Sequence, residues 1–138
     1  ACSSSNHPHP HPHQLIAVVL CRPQGARNVG AVARSMANFG LSDLRIVSPM
    51  RTVTEAWDAE AVPYAVFAED VLDQARTFGS LREALGDCGL VLGTGATSRK
   101  GLQALSPRGA AEGVIAEAVA EGTKVALVLG NERFGLSR

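Results

Sequence analysis

An α/β fold, a parallel sheet with helices on both faces, is what the sequence predicts, on three grounds. Short continuous apolar runs, Leu15 to Cys21, Leu90 to Leu92 and Val125 to Leu129, lack the alternation of a half-exposed strand and suit strands buried on both faces. Segments with helical spacing of apolar residues lie between the strands, and strands that alternate with helices in this way imply parallel pairing. With 138 residues, 46% of them apolar, the chain is long enough for one buried core.

Residues 1–14 read as a disordered tail, because His7, His9, His11 and His13 alternate with Pro8, Pro10 and Pro12, which favours extended polyproline geometry over helix. The tail is either a metal-binding tract or a solvated linker or targeting remnant; the plainer linker reading is adopted and no metal is expected. All four histidines lie in it, so the folded body, residues 15–138, has none for a histidine-based triad or most zinc sites. After the first strand, Asn28 is placed as a helix cap, and Val29, Val32, Ala33, Met36 and Phe39 form a buried stripe. Arg27, Ala31, Arg34 and Asn38 fall on another face, and Gly40 ends the helix.

Leu44 to Ser48 is a second short strand, stopped by Pro49. Thr54 to Ala61 reads as helical with Trp57 inward, and Pro63 breaks it; Val66 to Thr77 gives no clear pattern. Ser80 caps a helix ending at Gly86, and Leu90 to Leu92 is a third buried strand. Ser106-Pro107 starts a helix, proline being harmless at the first position, with Val114, Ile115, Ala118 and Val119 inward and Gly122 at its end.

Thirteen basic residues balance thirteen acidic ones, so net charge names no partner. The distribution says more: Cys21 to Ser42 and Cys88 to Ala111 carry arginine or lysine and no acid, while the acids crowd between Val53 and Asp87. A surface polarised in this way can bind a polyanion without an overall positive charge. Cys2, Cys21 and Cys88 read as thiols of a reducing compartment, and no apolar run approaches the roughly 18 residues of a membrane helix. A soluble intracellular protein is expected, cytoplasmic or, if the tail is a targeting remnant, in a plastid or mitochondrion.

In parallel sheets ligands bind beyond the carboxyl ends of the strands. Three such ends carry the glycine- and arginine-rich loops: Arg22 to Asn28, Gly93 to Lys100 and Gly130 to Ser137. Each has a bland reading, a cap, a tight turn or a solvated arginine, and Gly93-x-Gly95 alone is a weak nucleotide signal. In combination they carry a resemblance. Asn28-x-Gly30-x-x-x-Arg34, followed by Phe39-Gly40 and a strand ending in Ser48-Pro49, resembles the first motif of the SpoU (SPOUT) class of RNA ribose 2'-O-methyltransferases. Gly130-Asn131-Glu132-x-x-Gly135-Leu136 resembles the second motif, and Leu90 to Thr94 with Ser98-Arg99 looks like the central region of the TrmJ-type tRNA branch.

The resemblance implies the α/β-knot fold and methyl transfer from S-adenosylmethionine to a ribose 2'-hydroxyl of tRNA or rRNA by a homodimer. It implies catalytic roles for Arg34, Asn28 and Glu132, and a cofactor seat on Thr94, Gly95, Ala96, Gly130, Asn131, Gly135 and Leu136. RNA phosphates would be gripped by Arg27, Arg99 and Lys100. An arginine is a very weak base, so orientation and charge stabilisation suit Arg34 at least as well as proton abstraction. The family's third motif does not occur in these 138 residues, so half a cofactor pocket and a truncated knot region are expected. The alternatives are a non-catalytic RNA-binding fragment and a Rossmann-like nucleotide-binding domain, the latter disfavoured by Ser48-Pro49 where an acid would stand.

Overall fold

The structure, a computed structural model, describes residues 12–94 and 106–131. Its strands are β1 (Ile16–Cys21), β2 (Asp43–Val47), β3 (Arg76–Phe78), β4 (Leu90–Gly93) and β5 (Val125–Leu129). Its helices are α1 (Ala26–Asn38), α2 (Arg51–Glu55), α3 (Val62–Tyr64), α4 (Glu69–Asp73), α5 (Leu81–Ala84), α6 (Pro107–Ala110) and α7 (Ala116–Ala120), with π-helical turns at Trp57–Ala61 and Ala111–Ile115. The strands form one five-stranded sheet in the order β3-β2-β1-β5-β4, and every pairing is parallel. The predicted α/β architecture is therefore present. Among the described residues no helix is long and apolar enough to cross a membrane.

Period-two geometry divides each strand between two cores. Val18, Leu20, Leu44 and Ile46 face α1 and the 51–73 segment, meeting Val29, Ala33, Met36, Val53, Ala61 and Val71. Val19, Cys21, Val47, Ala126 and Val128 face the other way, against Ala84 of α5. Two layers can form because the central strands carry apolar residues on both faces.

Several expectations are corrected. Residues 12–15 form a 3₁₀ turn rather than extended tail, and Lys124 Nζ donates to the Gln14 carbonyl at 2.8 Å. Asn28 is not the cap of α1: the helix starts at Ala26 behind Gly25, which makes no side-chain cap, and Asn28 falls in its first turn. Phe39 is 72% exposed, because the helix has already ended there; Gly40 takes the left-handed turn at φ 76°. Pro63 does not stop the chain before it: the π-helical turn Trp57–Ala61 runs directly into α3, which contains Pro63 and ends one residue later at Tyr64. The unreadable 66–77 stretch holds α4 and the start of β3, whose Arg76-Thr77-Phe78 is too short and too polar to announce a strand. β4 is an edge strand, with Val91 45% exposed, since a short apolar run reads alike at an edge and at the centre of a sheet.

Other local readings hold. Ser80 accepts from the Glu83 amide at 3.2 Å, Ser106 accepts from the Gly109 amide at 2.9 Å, and Gly122 closes α7 with φ 78°. Trp57 is half-buried against the first core. In the 107–120 segment Ala118 is buried, while Val114, Ile115 and Val119 are half-buried.

Arg45, in the middle of β2, is 2% exposed and points into the second layer. Its guanidinium donates to both oxygens of Asp43, to both of Asp87 and to the Ala84 carbonyl. Asp43 also accepts from Lys124 at 2.8 Å and pairs with Arg76 at 3.2 Å. One buried cation thus ties β2 to the α5–β4 turn, while Asp43 ties it to β3 and to the start of β5. Burial alone would raise the Asp43 carboxyl, but hydrogen bonds from Arg45 and Lys124 outweigh it and hold it well below the usual carboxylate range. The hydrogen bond from Arg45 brings Asp87 down to about 2. Asp87 is 59% exposed and its pairing is screened by solvent, so Asp43 carries the larger share of the energy.

Folding depresses both carboxyls, so the stability they add is full above the unfolded value, near 4, and is lost as pH falls from there through the lower folded values. Asp43→Asn is expected to cost about 3 kcal/mol at neutral pH, the scale for removing one partner of a buried pair. Urea unfolding across an acid series should show a flatter decline below about pH 4 for this variant than for the natural chain; equal slopes would contradict the assignment.

Candidate functional site

The carboxyl ends of β1, β2 and β5 hold the chain in constrained turns. Arg22 and Ser48, neither of them glycine, adopt φ of 48° and 44° directly after β1 and β2. Such conformations store on the order of 1–3 kcal/mol each and persist only where neighbours fix them. Here the Arg22 amide donates to Val47 O at 2.7 Å, the Ser48 amide to Phe78 O at 2.9 Å, and the Ser48 hydroxyl to Gly79 O at 2.9 Å. Each strand end is thereby pinned to the next strand.

Asn131 completes the set. It is 7% exposed, and its side-chain amide donates to the Arg22 carbonyl at 2.7 Å and lies 3.9 Å from Met50 Sδ. The Met50 amide donates to Pro23 O at 3.0 Å, and the Thr52 hydroxyl to Gln24 O at 2.6 Å. Loops following β1, β2 and β5, far apart along the chain, are joined by these bonds. Asn131 was expected to hold cofactor through its backbone; its side-chain amide is directed inward to the Arg22 carbonyl, which leaves that expectation open.

A cleft of about 160 Å³ opens where α1 leaves the sheet beside the end of β5. Leu20, Pro23, Val29, Val32 and Leu129 form its apolar walls, and Asn28 and Gly130 also line it. The structure therefore brings together Asn28 and Gly130, residues from the two motif regions, with Asn131 directly behind. Thr94 lies one strand away, its amide on Val128 O at 3.0 Å. A larger cavity of about 210 Å³, beside β2 and β3 and walled by Trp57, Val53 and Ile46, has no charged lining residue; it includes Pro49 from the end of the first motif region but not Asn28, Gly30, Arg34 or Gly130.

Arg27 projects from the first turn of α1, 5.3 Å from the Tyr64 ring centroid and 3.5 Å from Glu60. Arg34 is exposed two turns further on. At 1.5 Å per residue it is roughly 12 Å along the axis from the start of the helix, and it does not join the cleft of its own chain. Gly95, Ala96, Arg99, Lys100, Glu132, Gly135 and Leu136 lie outside the described residues.

Sequence reasoning missed Arg22, Glu60, Tyr64 and Arg45. For Arg45 the signal was present, a lone arginine inside an otherwise apolar strand. Glu60 and Tyr64 gave none, because their pairing depends on how α1 meets the 57–64 segment. Cys21 and Cys88 are free thiols, and burial pushes both up, which disfavours a reactive thiolate at either. Among the described residues no cluster of histidine, cysteine and carboxylates could hold a metal ion.

Residues 15–138 match the sequence model of the SpoU rRNA Methylase family. The chain is 40% identical over 125 residues to the tRNA (cytidine/uridine-2'-O-)-methyltransferase TrmJ of Citrobacter koseri, covering 90% of this chain and 49% of that one. The crystal structure of TrmJ from Z. mobilis ZM4 superposes with a TM-score of 0.74 at 37% identity, covering 88% of this chain and 52% of that one. The SpoU methyltransferase AviRb from Streptomyces viridochromogenes, solved in complex with the cofactor AdoMet, shares the fold at 20% identity and a TM-score of 0.52, covering 93% of this chain and 47% of that one. The chain spans about half the length of the curated relatives it matches.

Asn131→Ala removes the donor to a carbonyl at the heart of this junction. It is expected to destabilise the chain by about 1–3 kcal/mol in urea unfolding, the cost of an unsatisfied buried group. Asn131→Asp, which offers that carbonyl no donor at neutral pH, should cost at least as much; a neutral effect of both would show that the junction does not depend on this bond.

Proposed function

The chain belongs to the SpoU rRNA Methylase family, and from that premise we propose that it transfers a methyl group from S-adenosylmethionine to a ribose 2'-hydroxyl of RNA, with tRNA as the substrate. The observation that carries the reading is the cleft shared by Asn28 and Gly130, at the adjacent carboxyl ends of β1 and β5. Ligands of parallel sheets bind in that position. The described residues fit such a cofactor in part: the apolar walls suit its carbon-rich portions, and the main chain at Gly130 suits its polar edge, while the Thr94 amide is engaged by the Val128 carbonyl. At about 160 Å³ the cleft is smaller than a complete ligand site, typically at least about 300 Å³. Gly95, Ala96, Gly135 and Leu136 are proposed to supply further wall.

When bound, the cofactor supplies an electrophilic methyl group. The ribose hydroxyl is a poor nucleophile and needs its oxygen oriented and its developing charge stabilised as the proton leaves. That role is assigned to Arg34, whose planar guanidinium fork can hold the hydroxyl oxygen and an adjacent RNA phosphate together, a non-bridging oxygen of that phosphate taking the proton as the hydroxyl oxygen gains the methyl group. Asn28, which lines the cleft, is assigned the task of holding the loop and helping to position Arg34, and Glu132 is assigned to the same catalytic set. Arg27, Arg99 and Lys100 grip the phosphates that bring the ribose into position. A homodimer suits this arrangement, because an exposed Arg34 of one copy can stand opposite the cleft of the other.

The test is transfer of labelled methyl from S-adenosylmethionine to an unmodified tRNA transcript, followed by alkaline hydrolysis, which a 2'-O-methylated nucleotide resists. Transfer to an alkali-resistant position is expected, and Arg34→Ala should reduce it by roughly 10²-fold or more, the scale of a lost transition-state contact. Methylation of a base instead would overturn the reaction assignment. Retention of tRNA without any transfer would favour the non-catalytic RNA-binding alternative.

A further inference from the structure

The reading of Arg27 as a phosphate grip leaves two of its neighbours unassigned. Its guanidinium lies over the Tyr64 ring, 5.3 Å from the centroid, and its Nε is 3.5 Å from a carboxylate oxygen of Glu60. The side chains of Arg27 and Glu60 are 62% and 40% exposed, so the pair faces solvent at the edge of α1 that also carries Arg34. Neither neighbour belongs to a motif. Glu60 lies in the π-helical turn Trp57–Ala61, and Tyr64 ends α3. Turns of this kind are uncommon and often sit at functional sites.

Their position is fixed by contact with α1. A Cβ on Gly30 would lie 2.3 Å from the Ala61 carbonyl oxygen and 2.9 Å from the Tyr64 Cβ. Gly30 of the first motif is therefore the position at which the 57–64 segment touches the helix backbone. That contact sets Glu60 and Tyr64 one turn away, around Arg27. The ring fixes the guanidinium from one side while leaving its charge available, and the Glu60 carboxylate faces its Nε.

We infer that Glu60 is an internal competitor for Arg27, holding the place of an RNA phosphate, and that Tyr64 keeps the guanidinium poised while the two anions exchange. The inference rests on the reading of the chain as an RNA-directed enzyme and adds to it a residue that sets RNA affinity. Exposed pairs of this type are weak, so a phosphate can displace the carboxylate. The same pair discriminates against weakly charged ligands, because any occupant of Arg27 must first outcompete Glu60. The arrangement trades RNA affinity for a residue kept in its binding geometry.

The experiment measures binding of an unmodified tRNA transcript to this chain by fluorescence anisotropy over a series of potassium chloride concentrations. Glu60→Gln is expected to tighten binding roughly two- to fivefold, the range set by the strength of an exposed pair. Arg27→Gln should weaken binding and reduce the slope of log affinity against log salt by about 0.7–0.9, one phosphate contact. The double variant should match Arg27→Gln alone, because Glu60 has then nothing to occupy. Tyr64→Ala should weaken binding and Tyr64→Phe should preserve it. Glu55→Gln removes the same charge beside Arg51, with which Glu55 pairs at 2.9 Å, and controls for the general change in charge.

Should Glu60→Gln bind no more tightly than Glu55→Gln while Arg27→Gln still weakens binding, the competitor role is wrong and the RNA reading stands. Weaker binding by Glu60→Gln would also overturn the competitor role, since Glu60 would then be supporting Arg27. Absence of any tRNA binding by the natural chain would remove the RNA reading itself and this inference with it.

Discussion

β1 lies parallel to β5, and the architecture of the sheet's carboxyl end follows from that pairing. Residues 16–20 register with 125–129, so segments from opposite ends of the sequence end side by side. Only because of that adjacency can Asn131 donate to the Arg22 carbonyl and Asn28 share a cleft with Gly130. The pairing is itself secured by burial: Ala17, Val19, Val125 and Ala126 are fully enclosed, and a slip of β5 by one residue would turn Val125 and Ala126 each to the opposite layer.

The two ends of the sheet are stabilised by different chemistry. Toward the amino end, Asp43 collects Arg45, Lys124 and Arg76, and the Lys124 amine also holds the Gln14 carbonyl. Among the described residues, charge satisfied in this way anchors strands without leaving a buried side-chain donor unmet. At the carboxyl end the residues are held in left-handed turns by main-chain bonds, with loops that carry the motif residues. Strain at Arg22 and Ser48 is tolerated because the opposite end and the two apolar layers fix the strands beneath it.

What could be read from the sequence follows the same division. Continuous apolar runs identified β1, β4 and β5, the short segment before Pro49 identified β2, and one residue of each motif, Asn28 and Gly130, lines a common cleft. β3 was hidden because its three residues include an exposed arginine and threonine whose role is set by pairing with β2. Asn28 was misplaced as a cap, since its residue type suits both a cap and a first-turn position and nothing local distinguishes them. The inward direction of Asn131 depends on a carbonyl 109 residues away, and the anchoring by Arg45 on a carboxylate 42 residues away. Local pattern carries no trace of either partner. A glycine motif likewise reports that the backbone comes close, but not what it approaches. Gly30 illustrates this, being matched to the Ala61 carbonyl rather than to a ligand.

Whether β1 and β5 jointly present a cofactor cleft can be decided by an amide NMR titration of the 138-residue chain with S-adenosylmethionine, at concentrations high enough to detect weak binding. Saturable shifts centred on the start of α1, Thr94 to Ala96 and the Leu129 to Leu136 segment are expected. Shifts centred instead on the Trp57 cavity, or none at all, would contradict a shared cleft.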